Sequence, residues 1–292
     1  MKSLKRTICL SVVVVSQSFS QTTPAASPYL KHAEVSETQG TVHVLANNPR
    51  PLAQTLDALR EKYGWVVNYE DPRFLSKLDV TEAASPMPGG SKAQLFPGGG
   101  RFGAEFPVGS AASTPPASEQ TSSAEEEKAV QLIVDSYNRS DNPGRFELRK
   151  TGQQGSLSVV GTAAHDVKGR ILPQKPVLDS PVTLLRKERT ATATIQLLCE
   201  KLTALSGTNV ALGVTPRNLL DHNTVTVGGG KASARDLLLQ ILTLTHGNCY
   251  WRLFFDPNSK GYLLSIHQVL APKDPVKDPV KDPAKSPAKG PA

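Results

Sequence analysis

Two glycine-rich stretches have part of the spacing expected of phosphate-binding loops. Residues 98–103 (GGGRFG) match the GxGxxG pattern, but they neither follow a predicted strand nor open a predicted helix, as a pyrophosphate-binding turn requires. Residues 228–231 (GGGK) do lie between a predicted strand and a helix start, where backbone N–H groups can meet an anion. They lack the Walker spacing, and a tight connection accounts for their glycines. Neither stretch predicts a nucleotide site.

The histidines and serines give no pattern typical of catalysis or metal binding. The six histidines are scattered, and none has a carboxylate or cysteine at metal-ligand spacing: His32, His43, His165, His222, His246 and His267. No Gly-x-Ser-x-Gly elbow is present, and the serines of residues 113–123 lie in loose polar sequence that is unsuited to holding a nucleophile. We therefore predict no enzyme, no metal and no cofactor. A hydrolase in the first half of the chain, with the Gly/Pro-rich segment as a lid, is the alternative.

Composition and charge exclude further classes. The chain has 292 residues, of which 38% are apolar and 20% are charged, so it is neither a typical membrane protein nor fully disordered. Its formal charge of +7 is spread out, with no dense basic stripe interleaved with aromatic residues. We therefore expect no nucleic-acid partner.

Residues 1–20 have the pattern of a signal peptide. Lys2, Lys5 and Arg6 precede a short apolar run, and the small residues Ser18 and Ser20 stand where a signal peptidase reads. A buried N-terminal strand is the alternative. Cleavage would remove three basic residues and lower the formal charge from +7 to +4. The mature protein is then expected in the periplasm or outside the cell, beginning with a polar extension over residues 21–40.

Export would leave two cysteines in the mature chain, Cys199 and Cys249. Two thiols in an oxidising compartment often pair. The first lies on a predicted helix and the second just after another, so they form a candidate disulfide. Two separate buried thiols are the alternative.

The remaining pattern is that of small modules built from helices and strands. Residues 182–270 contain two amphipathic runs with the period of a helix, each followed by short apolar strands. In their first run Ile195, Leu198, Leu202 and Leu205 are expected on the buried face, and Gly207 is expected to end the helix. In the second run Ser233 is expected to cap the helix start, with Asp236 completing a capping box.

Residues 41–163 show a similar order of elements with a long interruption. A strand over residues 41–46 precedes a helix that is expected to bury Leu52, Leu56 and Leu59 and to end at Gly64. A strand over residues 65–69 follows. Residues 81–123 are rich in Gly and Pro and are predicted to be a disordered insertion. Beyond it come a helix capped by Ser123 and a hairpin over residues 145–161.

The two modules repeat a common pattern and resemble a known family. Leu59, Gly64 and Pro72-Arg73 recur as Leu202, Gly207 and Pro216-Arg217 at nearly the same spacing, which indicates a duplicated unit. Residues 52–72 (LAQTLDALREKYGWVVNYEDP) and 224–244 (TVTVGGGKASARDLLLQILTL) resemble the two halves of the secretin and TonB short N-terminal (STN) domain. We therefore predict an α+β fold of two STN-like modules, each with two helices packed on a short mixed sheet, joined by a linker over residues 164–181.

The resemblance implies a role in protein–protein contact rather than in catalysis. In the family such modules serve secretin assembly or signalling from outer-membrane receptors, so a secretin, a TonB-dependent receptor or an anti-sigma-type protein is the expected partner. Sheet edges suit such contacts. Residues 65–69, taken as an edge strand, and the last hairpin supply the candidate contact residues Trp65, Tyr69, Trp251 and Tyr262. Packing of these residues in the core is the alternative.

The C-terminal tail suggests a second kind of function. Residues 271–292 form a four-residue repeat with a proline in every unit and a lysine in most. This composition favours an extended, disordered chain. The alternative function is therefore a cell-wall or lipid-surface binding protein that makes weak contacts to phosphate groups through this tail.

Overall fold

The computed structural model describes residues 33–47, 49–83, 94–107, 119–152 and 155–269. Over this part of the chain the fold is α+β, as the sequence predicts. The predicted signal peptide and the predicted C-terminal tail lie outside the described residues.

The first half of the chain supplies two long helices and three groups of strands. In chain order they are β1 (Glu34–Thr38), β2 (Thr41–Ala46), α1 (Pro51–Tyr63), β3 (Val67–Glu70), β4 (Val80–Ala83), β5 (Gln94–Pro97), β6 (Phe102–Pro107), α2 (Glu119–Arg139), β7 (Arg145–Thr151), β8 (Ser156–His165) and β9 (Ile171–Pro173). β1, β2 and β6 form a small outer sheet, and β4 and β5 form a hairpin.

The second half follows after a 3-10 turn at Val177–Asp179. Its elements are β10 (Pro181–Thr183), β11 (Lys187–Thr190), α3 (Ala191–Ser206), β12 (Val210–Leu212), α4 (Arg217–Leu220), β13 (Thr224–Val227), β14 (Lys231–Ser233), α5 (Ala234–Leu244), β15 (Cys249–Asp256) and β16 (Gly261–Gln268). β10 pairs with β14, and β11 pairs with β13.

The helices begin and end where local chemistry predicts. Pro51 opens α1, where its missing N–H is not needed, and Gly64 ends this helix in the left-handed region with φ of 76°. Gly207 ends α3 in the same way with φ of 64°. The Ser233 side chain accepts a hydrogen bond from the Asp236 N–H at the start of α5. These predictions from the sequence are confirmed.

The two halves share one central sheet. Its strand order is β12-β16-β15-β3-β8-β7, with β9 continuing beside the end of β8. β15 from the second half pairs in parallel with β3 from the first, at Arg252 with Tyr69 and at Leu253 with Glu70. The sheet is therefore continuous across the chain rather than split between two separate modules.

The strand pairings make the two halves topologically equivalent. The antiparallel pair of β2 and β6 corresponds to the antiparallel pair of β11 and β13. The parallel pair of β3 and β8 corresponds to the parallel pair of β12 and β16. Finally, β7 forms an antiparallel hairpin with β8, as β15 does with β16. In the central sheet each strand of the first half runs in the opposite direction to its equivalent in the second half. The halves are therefore related by a half-turn about an axis that crosses the strands.

The half-turn places the two helix pairs on opposite faces of the sheet. On one face the Tyr69 ring packs against Phe146, which also contacts Tyr137 of α2. On the other face Glu70, the next residue of β3, bonds to Arg235 of α5. Successive strand residues point to opposite faces, so β3 contacts the helices of both halves.

Several predicted elements are wrong in their bounds. Within the predicted disordered insertion of residues 81–123, the structure places most of β4, all of β5 and β6, and the start of α2. β6 is amphipathic, with Phe102, Ala104 and Phe106 buried between strand and helix layers. Since α2 begins at Glu119, Ser123 lies inside the helix and does not cap it.

Three further predictions also need correction. The N-terminal extension contains β1, which pairs along its full length with β2. The linker of residues 164–181 holds the end of β8, β9 and the 3-10 turn, whose Val177 and Leu178 are buried. Leu205 of α3 is exposed rather than buried, because it lies in the last turn of the helix, which ends at Ser206, although it is on the same face as Leu198 and Leu202.

Candidate functional site

The four aromatic residues predicted to contact a partner lie in the core. Trp65, Tyr69, Trp251 and Tyr262 are each at most 8% exposed. The predicted edge strand at residues 65–69 is in fact interior, because β3 lies between β8 and β15 in the central sheet. These residues stabilise the fold and do not form a contact surface.

The most unusual site in the molecule is the interface between the two halves. We call the β3–β15 contact and the side chains that cross it the module interface. β3 reads Val-Asn-Tyr-Glu and is followed by Asp71, so three of five consecutive buried residues are polar. The equivalent strand β12 reads Val-Ala-Leu and is followed by Gly213 and Val214. The buried polar residues therefore occur in β3, the strand that pairs with β15, and not in its equivalent β12.

Asn68 fixes the register between the two strands. Its side-chain oxygen accepts a hydrogen bond from the Trp251 N–H at 3.0 Å, and its amide nitrogen donates to the Ser156 hydroxyl at 2.9 Å. The Asp71 N–H extends the pairing by donating to the Leu253 carbonyl at 2.9 Å. Buried hydrogen bonds of this kind tolerate no shift of one residue.

Asp71 joins both halves through its carboxylate. Its oxygens accept hydrogen bonds from the Arg50 side chain at 2.7 Å, from the Phe255 N–H at 3.0 Å and from the Tyr69 hydroxyl at 2.8 Å. Arg50 also donates to the Phe255 carbonyl at 2.6 Å. Both polar groups of the Phe255 backbone are thus bonded by side chains of the first half.

On the other face of the sheet, Arg235 of α5 bonds to two carboxylates. Its guanidinium lies 2.5 Å from Glu70 and 3.0 Å from Asp179. Arg149 of β7 also bonds to Asp179, and the Leu178 N–H donates to Glu70 at 3.2 Å. Arg235 lies over the Trp251 ring at 5.4 Å from its centroid. The charges are paired, as burial requires.

A second arginine crosses the interface on the face that carries α1. Arg252 of β15 donates to the Asp57 carboxylate at 2.8 Å and to the Val67 carbonyl. Its guanidinium and that of Arg60 both lie over the Tyr250 ring, at 4.9 Å and 4.4 Å. Residues of α1 are in this way tied to β15.

Burial sets the electrostatics of the interface. It raises the pKa of Glu70 and the pKa of Asp71, against the opposing effects of Arg235 and Arg50. Among the described residues, Nη1 of Arg235 and Nε of Arg252 are buried without a hydrogen-bond partner. Buried ion pairs add little net stability, but removing one partner is costly. The buried charges therefore favour one pairing register between β3 and β15 over others.

The two cysteines are free thiols in the structure and do not form the candidate disulfide. Cys199 is buried on α3 and Cys249 is partly buried at the start of β15. Burial raises the pKa of the Cys199 thiol to about 12. The thiolate, which is the nucleophile in disulfide formation, is thereby disfavoured at Cys199.

Two histidines pair with carboxylates that are distant in sequence. His43 lies 3.0 Å from Glu105, and His165 lies 2.7 Å from the buried Asp79. In the described residues no group of three or more potential ligands is placed to hold a metal ion. The ring and the backbone N–H of His165 both bond to Asp79, and this pair joins the loop after β3 to the end of β8.

The two glycine-rich stretches form connections between strands. Residues 98–103 run from β5 into β6, and the Gly98 N–H donates to the Asp79 carbonyl. Gly228 and Gly229 form the turn between β13 and β14 with φ of 112° and 98°, and the Gly229 N–H donates to the Leu184 carbonyl at 2.9 Å.

Glu126 of α2 is a largely buried carboxyl. Burial raises the pKa of Glu126 to about 7. Such a pKa suits a general acid or base. A backbone hydrogen bond from Val66 lowers the pKa of Glu126 against this effect of burial.

Sequence reasoning missed the polar residues of the module interface, although one signal was present. The run Asn68 to Asp71 places three polar residues in a strand whose counterpart in the second half is apolar. Comparison of the two repeats at these positions would have marked β3 as the strand with an added role.

Comparison of the chain with protein-family models, with curated proteins and with solved structures found no match. The resemblance to the STN domain therefore stays a prediction from the sequence. No helix of the described residues is long and apolar enough to cross a membrane.

Proposed function

We propose that this chain is an exported, non-enzymatic envelope protein that acts as a protein–protein interaction adaptor. Its partner would belong to the classes that the STN resemblance implies: a secretin, a TonB-dependent receptor or an anti-sigma-type protein. The observation that carries the proposal is the module interface, in which β3 accepts β15 as a parallel neighbour. β12 is the topological equivalent of β3 and has no outer neighbour among the described strands.

The outer edge of β12 is suited to receive a partner strand. The Gly213 N–H donates to Leu264 of β16, whereas the N–H and carbonyl of Val210 turn away and both bond to the Thr203 hydroxyl, at 2.9 Å and 3.5 Å. Since backbone groups alternate along a strand, the N–H and carbonyl of Leu212 also point outward. Val214 beside this edge is 67% exposed. An apolar edge with open backbone groups is a template for strand addition.

The opposite edge of the central sheet is protected against pairing. On β7, Asn138 bonds to both the N–H and the carbonyl of Phe146, at 2.8 Å and 2.7 Å. Glu147 and Lys150 place exposed charges along the same strand. Exposed charges discourage strand addition, and β12 (Val-Ala-Leu) carries none, so we assign partner binding to β12.

A photo-cross-linking amino acid at position 214 of the tagged, full-length protein tests this proposal in cells. We expect a cross-linked product with an envelope protein of the classes named above. Adding Leu212→Pro should lower its yield by about tenfold or more, because proline removes the outward N–H without breaking the ladder to β16. The thermal unfolding midpoint should stay within a few degrees of the parent protein.

The matched control is Lys150→Pro on β7, which should leave the product unchanged. A product that is insensitive to Leu212→Pro, or the absence of any protein product, would contradict the adaptor role of β12. Loss of the product in both proline variants would argue for a general effect on folding, which the unfolding midpoint detects.

A further inference from the structure

An exposed apolar patch lies at one end of the central sheet, far in sequence from β12. It combines the loop after β3 with the hairpin that joins β8 to β9. We call it the loop–hairpin patch. Its aliphatic side chains are between 41% and 82% exposed: Leu75, Leu78, Val167, Ile171 and Leu172. Patches of this kind on a soluble chain mark a site of interaction.

The loop and the hairpin are held together by side-chain hydrogen bonds. His165 bonds to the buried Asp79 through both its ring, at 2.7 Å, and its backbone N–H, at 2.9 Å. Gln174 bonds to the backbone N–H and carbonyl of Arg73 at 2.7 Å and 3.1 Å. Leu78 packs against Gly169 at the hairpin tip. The exposed aliphatic side chains therefore lie on two segments that hydrogen bonds hold in place.

Basic residues surround this apolar surface. In residues 72–79 and 165–175 there are five basic and two acidic side chains. The acidic ones are already engaged, since Asp79 is buried against His165 and Asp166 is bonded to Arg170. The exposed cations beside the aliphatic residues are Lys77, Lys168, Arg170 and Lys175.

We propose that the loop–hairpin patch docks the protein on the surface of an anionic lipid bilayer. Aliphatic side chains at turn tips can enter the boundary between head groups and acyl chains while lysines meet the lipid phosphates. The patch contains no exposed aromatic residue, and its arginine, Arg170, is bonded to Asp166, whereas protein docking sites are enriched in Trp, Tyr and Arg anchors. This proposal does not depend on the adaptor role of β12.

Co-sedimentation of the full-length protein with vesicles tests the proposal. We expect binding to vesicles of equimolar phosphatidylglycerol and phosphatidylcholine, and much weaker binding to phosphatidylcholine alone. The double variant Leu78→Ser with Val167→Ser should bind the anionic vesicles about tenfold less tightly, because two aliphatic side chains no longer enter the lipid. The matched control is Leu185→Ser with Leu205→Ser, which changes residues 75% and 59% exposed outside the patch and should bind as the parent does.

A charge-reversal pair separates the electrostatic contribution. Lys77→Glu with Lys168→Glu should weaken binding by about tenfold or more, since each lysine near an anionic surface contributes to the attraction. Lys201→Glu with Lys231→Glu makes the same charge change at exposed sites elsewhere and should have a smaller effect. Both double variants leave the aliphatic side chains of the loop–hairpin patch unchanged.

Three results would overturn the proposal. The parent protein could fail to prefer anionic vesicles, or the serine variant could bind them as tightly as the parent. Sedimentation velocity without lipid could instead show that the parent self-associates and that the serine variant does not, which would assign the patch to a second copy of the chain.

Discussion

Arg235→Ala is expected to destabilise the protein by about 3–5 kcal/mol, the range found when one partner of a buried ion pair is removed. The arginine side chain is 2% exposed and the Glu70 side chain is fully buried. Alanine would leave Glu70 with no cationic partner, and it would also remove the contacts to Asp179 and the Trp251 ring. Urea unfolding monitored by circular dichroism measures this loss.

The loss should shrink as the pH falls. In the folded protein burial raises the pKa of Glu70, so the folded state holds its proton at a higher pH than the unfolded state does. Without Arg235 this difference widens. The folded variant therefore gains stability relative to the parent as the pH falls toward the ordinary glutamate pKa of about 4.3.

Two further variants separate the ion pair from the packing around it. Arg235→Met with Glu70→Gln removes both charges and should cost less than Arg235→Ala alone. Arg170→Ala removes an exposed arginine that bonds to Asp166 and should cost about 1 kcal/mol or less. Equal losses for Arg235→Ala and Arg170→Ala would show that the interface charges do not stabilise the fold.

Asp71→Ala should have the second largest effect, a loss of about 2–4 kcal/mol. The carboxylate accepts hydrogen bonds from Arg50, Tyr69 and the Phe255 N–H. Alanine leaves these buried donors without an acceptor. Asp71→Asn keeps an oxygen that can face Arg50 and Phe255 and should lose less than half as much. The measurement is the free energy of unfolding of each variant in urea.

Asp256→Ala provides the control for Asp71. Asp256 accepts hydrogen bonds from Asn258 and Ser259 in the turn between β15 and β16. It lies in the same sheet but does not join the two halves, so its loss should cost about 1 kcal/mol or less. A loss for Asp71→Ala no larger than this would mean that Asp71 does not hold the halves together.

Local sequence signals predict the helices well because helix ends and buried faces depend on nearby residues. Gly64, Gly207 and Ser233 mark three helix ends, and the leucine stripe of α1 faces the core as predicted. β6 was missed because the glycines and prolines around it outweigh a clear alternation of Phe102, Ala104 and Phe106. Composition averaged over a long segment conceals a short amphipathic strand.

Local sequence signals could not predict the module interface, because its contacts join residues that are far apart in the chain. Asn68 meets Trp251 and Glu70 meets Arg235, at separations of 183 and 165 residues. The polar run from Asn68 to Asp71 marks β3 as unusual, but it does not show that β15 will cover this strand. The same aromatic residues that suggest an exposed binding edge in sequence are therefore core residues in the fold.

Native-state hydrogen exchange tests most directly whether the two halves behave as one rigid body. The informative amides are those of Asp71 and Trp251, which donate across the interface to Leu253 and Asn68. We expect both to exchange only through global unfolding, with protection within about tenfold of that of Tyr262 in β16. Exchange of the interface amides a hundredfold or more faster than Tyr262 would show that the halves separate while each stays folded, which contradicts a rigid two-module adaptor.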